Sequence, residues 1–395
     1  MTDLHTSNRI FLTGVTGLVG SSFVVALTKA PERYDFVCLV RSSGGRTAQE
    51  RAEAALRDEC AFEGCPEYAD EVMSRVTVID GDVATMDPQA LAEHPLLKGV
   101  DRIFHCAADV NLGKDPTGRV FRINYDGTAH MVELAKLLQV KEFHYVSTAY
   151  VAGKLVGTAY ERAPEIANGF NNPYEESKGK AELLVRAAGI PFTVYRPGII
   201  VGRCTDGRIR KPLAFYRILE FMQKMKSHSA VKSGQDPSNW VDLNLNCATK
   251  TSEHVYFVPI DYVQAAIVAL FQRPAVGETY HVTGAYPVTT TQILEATCSV
   301  FRIDGMTIGL KRSCETPEER LFSKFIGDLF PYFASDITFD QTNIRRDWPE
   351  SAQWEYGASN LKTMVKSYLA DEFANVEWVC KLIEAEPDRA PRISG

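Results

Sequence analysis

The sequence predicts an α/β fold, a doubly wound parallel sheet followed by a smaller, mostly helical C-terminal region. Three observations carry this expectation. Short apolar runs alternate with helical patterns over about the first two hundred residues, the rhythm of successive βαβ units. A glycine-rich turn stands between the first apolar run and the first helical pattern. Beyond Gly202 the rhythm breaks.

Strands are expected at 9–13, 36–40, 76–80, 102–106, 143–147 and 192–195, runs rich in Val, Ile and Phe. Helices fill the gaps, most clearly 117–138 and 174–188. After Gly202 the pattern predicts an amphipathic helix over 213–225 and a polar, irregular stretch over 233–252. A strand over 255–258 and a helix over 261–271 follow. The last hundred or so residues mix helical patterns, 289–301 and 360–386, with loops rich in Pro, Asp and aromatic residues. The expected boundary lies near Gly202 and is crossed more than once. One domain takes 8–205, and the other takes 206–254 and 286–395. The strands near 255–285, at Val255 and Thr279, are expected to rejoin the first domain's sheet.

With 395 residues, 45% hydrophobic and 24% charged, the chain has the composition of an ordinary globular protein. A net charge of -7, with no basic tail, argues against nucleic acid as a partner, since phosphate binding needs clustered Lys and Arg. The nine cysteines are scattered and odd in number. Cys60 and Cys65 lie close together, but no His stands near them to complete a metal site, so no metal is expected. Reduced thiols and a cytoplasmic location follow. Residues 1–9 are polar and run straight into a strand, leaving no room for a signal peptide. The longest apolar run, 265–271, is far short of the ~20 residues a spanning helix needs, so no membrane span is expected.

The first turn reads Thr13-Gly14-Val15-Thr16-Gly17-Leu18-Val19-Gly20. Glycine permits positive φ and lets the backbone approach a pyrophosphate, which then rests on the helix N-terminus. Gly14, Thr16, Gly17, Leu18, Val19 and Gly20 are therefore candidate cofactor-binding residues, the alternative being a tight turn with no ligand. The second strand ends at Val40-Arg41, where an NAD-binding chain would offer Asp or Glu to the ribose. Arg41 instead suits a 2′-phosphate and predicts NADPH, with Arg46 a possible helper. The alternative is a surface Arg paired to a nearby carboxylate. The third strand ends Asp80-Gly81-Asp82-Val83, where a carboxylate can accept from the adenine amino group. The fourth ends His105-Cys106-Ala107-Ala108, small residues that let a cofactor lie against the sheet edge.

A carbonyl reductase needs a proton donor, a hydroxyl that polarises the carbonyl, and a cation to lower the donor's pKa. Tyr and Lys four apart on a helix share a face. That spacing arises here twice, and chance alone supplies it about once. Tyr150 and Lys154 lie on an extended or turning segment interrupted by Gly153. Tyr174 and Lys178 follow Asn172-Pro173 and precede Glu175-Glu176, a good helix start. Tyr174 is the expected donor, and Tyr150 a wall of the pocket. Thr148 ends the fifth strand and is the expected polarising hydroxyl, with Ser147 on the opposite side. Its alternative is a β-branched residue that simply fills a strand.

Together these residues resemble the extended short-chain dehydrogenase/reductase superfamily over most of 8–285. Asn124 in Asn-Tyr-Asp-Gly-Thr and the run Arg196-Pro197-Gly198 add to the match. The nearest likeness is to the thioester reductases: the reductase domains of nonribosomal peptide synthetases and carboxylic acid reductases, and the fatty acyl-CoA reductases. It is carried by Phe104-His105-Cys106-Ala107-Ala108-Asp109-Val110-Asn111, Tyr145-Val146-Ser147-Thr148-Ala149-Tyr150-Val151 and Tyr174-Glu175-Glu176-Ser177-Lys178. Tyr195-Arg196-Pro197-Gly198-Ile199-Ile200-Val201-Gly202 and Val258-Pro259-Ile260-Asp261-Tyr262-Val263 extend it, as do Tyr332-Phe333-Ala334-Ser335-Asp336 and Phe339-Asp340.

The resemblance implies a Rossmann-type sheet that binds NADPH. Asp82, Val83, Ala107, Ala108, Asn124, Tyr174, Lys178, Pro197, Ile199 and Ile200 would join the glycine turn and Arg41 in holding it. The implied catalytic residues are Thr148, Tyr174 and Lys178. The implied substrate is an acyl thioester on coenzyme A or a phosphopantetheine carrier protein, reduced to the aldehyde or further to the alcohol. With no carrier or adenylation domain attached, the chain is expected to act as a free-standing enzyme. Phe215, Ile218, Leu219, Phe221, Met222 and Met225 either line an acyl pocket or form plain core. Arg208, Arg210 and Lys211 either meet a phosphate or form a solvated charge run.

Three other functions share parts of this pattern. Nucleotide-sugar dehydratases place acids directly after the Thr, where this chain has Ala149-Tyr150, and the epimerases hold an NAD that Arg41 disfavours. Reductases of free ketones or aldehydes remain compatible. A non-catalytic NADP(H) sensor would tend to lose the Tyr/Lys pair, which this chain keeps.

Overall fold

The structure, a computed structural model, describes residues 8–247, 254–285, 287–309 and 315–394. Contacts divide the chain into two units. The first is formed by residues up to Gly198 together with Val263–Val282 and Phe339–Ser351, and the second by the remainder.

In chain order the first unit holds β1 (Arg9–Thr13), α1 (Leu18–Thr28), β2 (Asp35–Val40), α2 (Ala48–Phe62), β3 (Val76–Asp80) and β4 (Arg102–His105). Then come α3 (Gly127–Leu137), β5 (Glu142–Val146), α4 (Pro173–Arg186), β6 (Phe192–Pro197) and β7 (Glu278–Val282). The seven strands form one sheet in the order β7-β6-β5-β4-β1-β2-β3, with every neighbouring pair parallel. This is the expected Rossmann-type sheet. Strand order reverses between β1 and β4, and at such a switch point the crevice beyond the strand C-termini takes ligands.

Both faces of the sheet are covered, which is why its strands read as continuous apolar runs. On one face Phe23 of α1 stacks on Phe104 of β4 at 3.9 Å. On the other, Phe11, Val37, Ile103 and Phe143 pack with Met131 of α3 and Val185 of α4. Local signals set the helix starts. Thr47 and Glu50 form a reciprocal capping box on α2. Asn172 accepts from the Glu175 N–H at 3.0 Å at the start of α4, with Pro173 in the first turn.

Several expectations need correction. The run at Val255 does not rejoin the sheet, because β7 occupies the place beside β6, pairing Thr279 with Val194. Instead Phe257–Pro259 pairs with Ile199–Val201 in the second unit. The helix expected over 117–138 is interrupted by a π-helical turn, Arg122–Asp126. The helix expected over 213–225 runs Tyr216–Ser233. The stretch 233–252 holds a strand, Val241–Cys247, whose Val241, Leu243 and Leu245 point inward on a period of two, while 248–253 lie outside the described residues. The helix expected over 360–386 breaks at 373–376 into Ala358–Glu372 and Glu377–Glu384.

The second unit is not helical alone. Its parallel sheet runs Ile393–Ser394, Ile303–Ile308, Val241–Cys247. Phe215 packs on Phe257 with ring centroids 4.8 Å apart, and Phe221 on Phe325 at 4.9 Å, so much of the candidate acyl stripe is internal packing of this unit. Arg208 pairs with Asp371 at 3.1 Å. The fully buried Lys226 donates to the carbonyls of Asn239 (2.8 Å), Phe301 and Arg302 (3.0 Å). Phe301 and Arg302 end the helix Thr290–Phe301, so a cation stands where the helix dipole and its unpaired carbonyls require one. Exchanging Lys226 for Met strands those carbonyls and should cost about 3 kcal/mol in urea unfolding. An unchanged urea midpoint would mean that the carbonyls find other donors.

Candidate active site and dinucleotide crevice

The turn after β1 lies against the end of β4 because Gly14 has no side chain. At its φ of +87°, a Cβ would sit 2.7 Å from the Ala107 nitrogen and 2.8 Å from the Cys106 carbonyl carbon. A Cβ on Gly20 would lie 2.2 Å from the Gly14 oxygen, and the Gly17 N–H donates to that same oxygen at 2.9 Å. Gly17 caps α1 without a side-chain hydrogen bond. A helix start with no side-chain cap, reached by a backbone that no Cβ shields, fits a dinucleotide pyrophosphate. Leu18 is buried, and Thr16 and Val19 are partly exposed.

At the other end of the crevice, Arg41 donates to the Asp82 carboxylate at 3.2 Å, the two side chains being 45% and 29% exposed. The carboxylate alternative for Arg41 is thus what the structure contains, and the partner is itself a candidate. A pair this exposed is worth at most about 1 kcal/mol and can yield to a phosphate. Asp82 also accepts from the Ala84 N–H at 3.0 Å. Asp80 is engaged by Ser42, whose N–H donates to it at 2.9 Å. A two-glycine turn folds Arg46 back onto Ser43, their backbone groups bonded at 3.0 and 3.1 Å, so Arg46 returns towards Arg41. Val83 is buried against Gly127.

Between these ends runs a hydrogen-bond relay that sequence reasoning missed. Its centre is His105, fully buried and paired in register with Thr13. The Ala107 N–H donates to Thr13 Oγ1 (3.2 Å), which lies 2.7 Å from His105 Nδ1. On the far side His105 Nε2 lies 3.0 Å from Thr128 Oγ1, which donates to the Asn124 carbonyl at 2.6 Å. Because Thr128 gives its only proton to that carbonyl, Nε2 must donate and Nδ1 must accept. One neutral imidazole therefore ties β1, β4 and the π-helical turn together. The only sequence signal was a His ending an apolar strand, a position more often filled by packing.

The Asn124 side chain is likewise internal. Its Oδ1 accepts from the Asp109 N–H (2.7 Å), and its Nδ2 donates to the Asp109 carbonyl (2.9 Å) and to Ser177 Oγ (3.0 Å). Ser177 in turn donates to the Tyr174 carbonyl at 2.9 Å. Asn124 thus fixes α4 near Tyr174, and the π-turn lets it do so, as single π-turns at functional sites do.

Thr148, Tyr174 and Lys178 converge. The Thr148 hydroxyl is hydrogen-bonded to the Tyr174 phenol. Lys178 is buried, donates to the Val146 carbonyl at 2.6 Å, and lies 4.1 Å from the Tyr145 ring centre. Burial pushes the Tyr174 phenol up to about 12, with the Thr148 hydrogen bond opposing, and pushes the Lys178 ammonium down to about 7. The other Tyr/Lys pair diverges: Tyr150 is buried edge-on to Phe339, whereas Lys154 is exposed. Behind α4 the buried Glu182 accepts from Arg196 (2.7 and 3.0 Å) and from Arg186 (3.0 Å). Arg196 also bonds His281 Nε2 at 3.2 Å. Ala108 is partly exposed and Pro197 is buried, while Ile199 and Ile200 belong to the second unit.

Comparison with known proteins gives this geometry its relatives. The sequence profile of the male sterility protein family, an NAD-binding group, matches residues 12–267. The chain belongs to the male sterility protein family. Members of it are nicotinamide-dependent oxidoreductases of the extended short-chain dehydrogenase/reductase type, and so is this chain. It is 28% identical over 290 residues to the non-canonical nonribosomal peptide synthetase FrzA of a Cladobotryum species, covering 70% of this chain and 26% of that protein. It is 27% identical over 296 residues to a carboxylic acid reductase of Mycobacterium marinum, covering 70% and 24%. The chain thus spans about a quarter of the length of these relatives. Its fold is similar to that of the terminal R domain from the myxalamid PKS-NRPS biosynthetic pathway, with a TM-score of 0.70 at 22% identity over 92% of this chain and 91% of that one.

Burial pushes the imidazoles of His105 and His281 down to about 3, with Lys178 and Arg196 respectively adding to it. An unfolded His titrates near 6.5, so below that pH the unfolded chain takes up protons the folded chain cannot. Glu161, pushed up to about 7 by burial, opposes one of the two between its unfolded value and 6.5. The family member should therefore lose stability on acidification from 6 to 5, these three groups contributing about 1.4 kcal/mol per pH unit. Urea unfolding at the two pH values measures this, and equal stabilities would contradict the neutral relay.

Proposed function

We propose that this oxidoreductase performs the NADPH-dependent reductive release of an acyl group from a thioester, giving the aldehyde and a free thiol. The observation that carries the reading is the convergence of a hydroxyl, a phenol and a buried ammonium at the crevice end of β5 and α4. A thioester on coenzyme A or a carrier phosphopantetheine is the proposed substrate class, in keeping with relatives that are named as peptide synthetases and a carboxylic acid reductase.

Gly14, Gly17 and Gly20 with the start of α1 would hold the pyrophosphate, Arg41 and Arg46 the 2′-phosphate, and Lys178 the nicotinamide ribose. When bound, the nicotinamide supplies a hydride to the thioester carbonyl carbon. Thr148 and Tyr174 donate hydrogen bonds to the carbonyl oxygen and stabilise the negative charge that develops there. A phenol held near 12 keeps its proton until that oxygen needs it, and a positive charge on Lys178, one helical turn further on, would make its loss easier. The tetrahedral hemithioacetal then collapses: its hydroxyl loses the proton, the carbon–sulfur bond breaks, and the thiol leaves protonated. A second round on the aldehyde would give the alcohol.

Tyr174→Phe should lower kcat roughly 10²- to 10⁴-fold while leaving NADPH affinity within about twofold. Full activity in Tyr174→Phe together with a dead Tyr150→Phe would transfer the role to the other pair. Arg41→Ala should raise the KM for NADPH roughly tenfold and leave that for NADH nearly unchanged, since only the former carries the phosphate Arg41 would meet. Equal effects on both cofactors would remove Arg41 from the phosphate site.

A further inference from the structure

At the far end of α2, away from the groups that carry the chemistry above, Cys60, Cys65 and Lys29 lie together. After Phe62 the chain turns out of the helix through Gly64, whose φ is +73°. The Cys65 N–H donates to the Cys60 carbonyl at 2.9 Å, and the Gly64 N–H donates to the Ala61 carbonyl at 3.1 Å. This six-to-one bond enclosing a five-to-two bond is the Schellman motif, which brings the side chains of its first and last residues against each other. An apolar pair commonly fills those two positions, and here both are cysteines.

Neither thiol is in a disulfide. Cys60 is buried and Cys65 partly exposed. Lys29, which ends α1, is hydrogen-bonded to the Cys65 thiol. Its ammonium also lies 4.0 Å from Glu63, and Ser21 of α1 donates to the buried Glu59 at 2.8 Å. The ends of α1 and α2 are thereby tied together, and the two sulfurs are kept in register beside one cation.

We propose that Cys60 and Cys65 form a redox modification site, at which a hydroperoxide closes a reversible disulfide across the end of α2. The Cys65 thiolate attacks a peroxide oxygen. The O–O bond breaks, leaving Cys65 as sulfenic acid and releasing water or an alcohol once protonated. The Cys60 sulfur then attacks the sulfenic sulfur, the S–O bond breaks, and water leaves. Two thiols lose two electrons and the hydroperoxide gains them. Cys65, the accessible thiol of the two and the one bonded to the Lys29 ammonium, is the attacking sulfur. Cys60, buried, is the resolving thiol.

Trypsin should release both thiols on one peptide, 58–75, since Arg57 and Arg75 flank them. The whole reduced protein is treated with about an equivalent of hydrogen peroxide, its remaining thiols are alkylated, and the peptide is weighed. The expected peptide carries no alkyl group, is lighter by two hydrogen atoms, and regains both thiols in dithiothreitol. Lys29→Met, a change at the surface, should slow the loss roughly tenfold. Cys60→Ala should leave a sulfenic acid on Cys65 that dimedone captures. A peptide alkylated at both positions after peroxide would overturn the proposal, as would closure that is equally fast without Lys29.

Discussion

The turn after β1 packs directly on the end of β4, a contact that leaves no room for a Cβ on Gly14 beside Cys106 and Ala107. Much of the crevice depends on it. Only with that contact does the start of α1 point across the switch in strand order. The contact also sets the Ala107 N–H within reach of Thr13, the first link of the His105 relay. A methyl group at position 14 would push the turn off β4, and the relay, the helix start and the floor of the crevice would separate together.

The second constraint is the immobility of α4. Its first turn is held by Asn172 and by Glu175, which accepts from the Asn171 N–H at 2.8 Å. One face is held by Asn124 through Ser177, and the back by Glu182 between Arg186 and Arg196. Buried ion pairs of this kind stabilise little in net terms, because desolvation offsets their attraction. What they supply is position. Tyr174 must lie within a hydrogen bond of the reacting oxygen, and a shift of about 1 Å can cost 10²-fold in rate.

The sheet was legible in the sequence because most of its strands are short apolar runs, and the capping residues marked where α4 begins. Thr148, Tyr174 and Lys178 could be chosen over the competing pair on helix-start signals alone, and the structure brings those three together. Other features were hidden for physical reasons. The π-turn at 122–126 has no periodicity signature distinct from that of a helix, and it exists to aim Asn124. The role of His105 depends on Thr13 and Thr128, which lie 92 and 23 residues away from it. The strand Val241–Cys247 alternates cleanly, but its Asp and Asn positions gave it the look of a loop. The resting partner of Arg41 could not be read either, since Asp82 becomes its neighbour only when β2 and β3 pair.

The central claim is that the carbonyl bound at Thr148 and Tyr174 belongs to a thioester. The most direct measurement is the ratio of free thiol released to NADPH oxidised, followed with a chromogenic disulfide and acyl-coenzyme A or acyl-carrier substrates. The account predicts one thiol for each NADPH if reduction stops at the aldehyde, and one for every two if it continues to the alcohol. Oxidation of NADPH by free aldehydes or ketones, with no thiol released from any thioester, would contradict it.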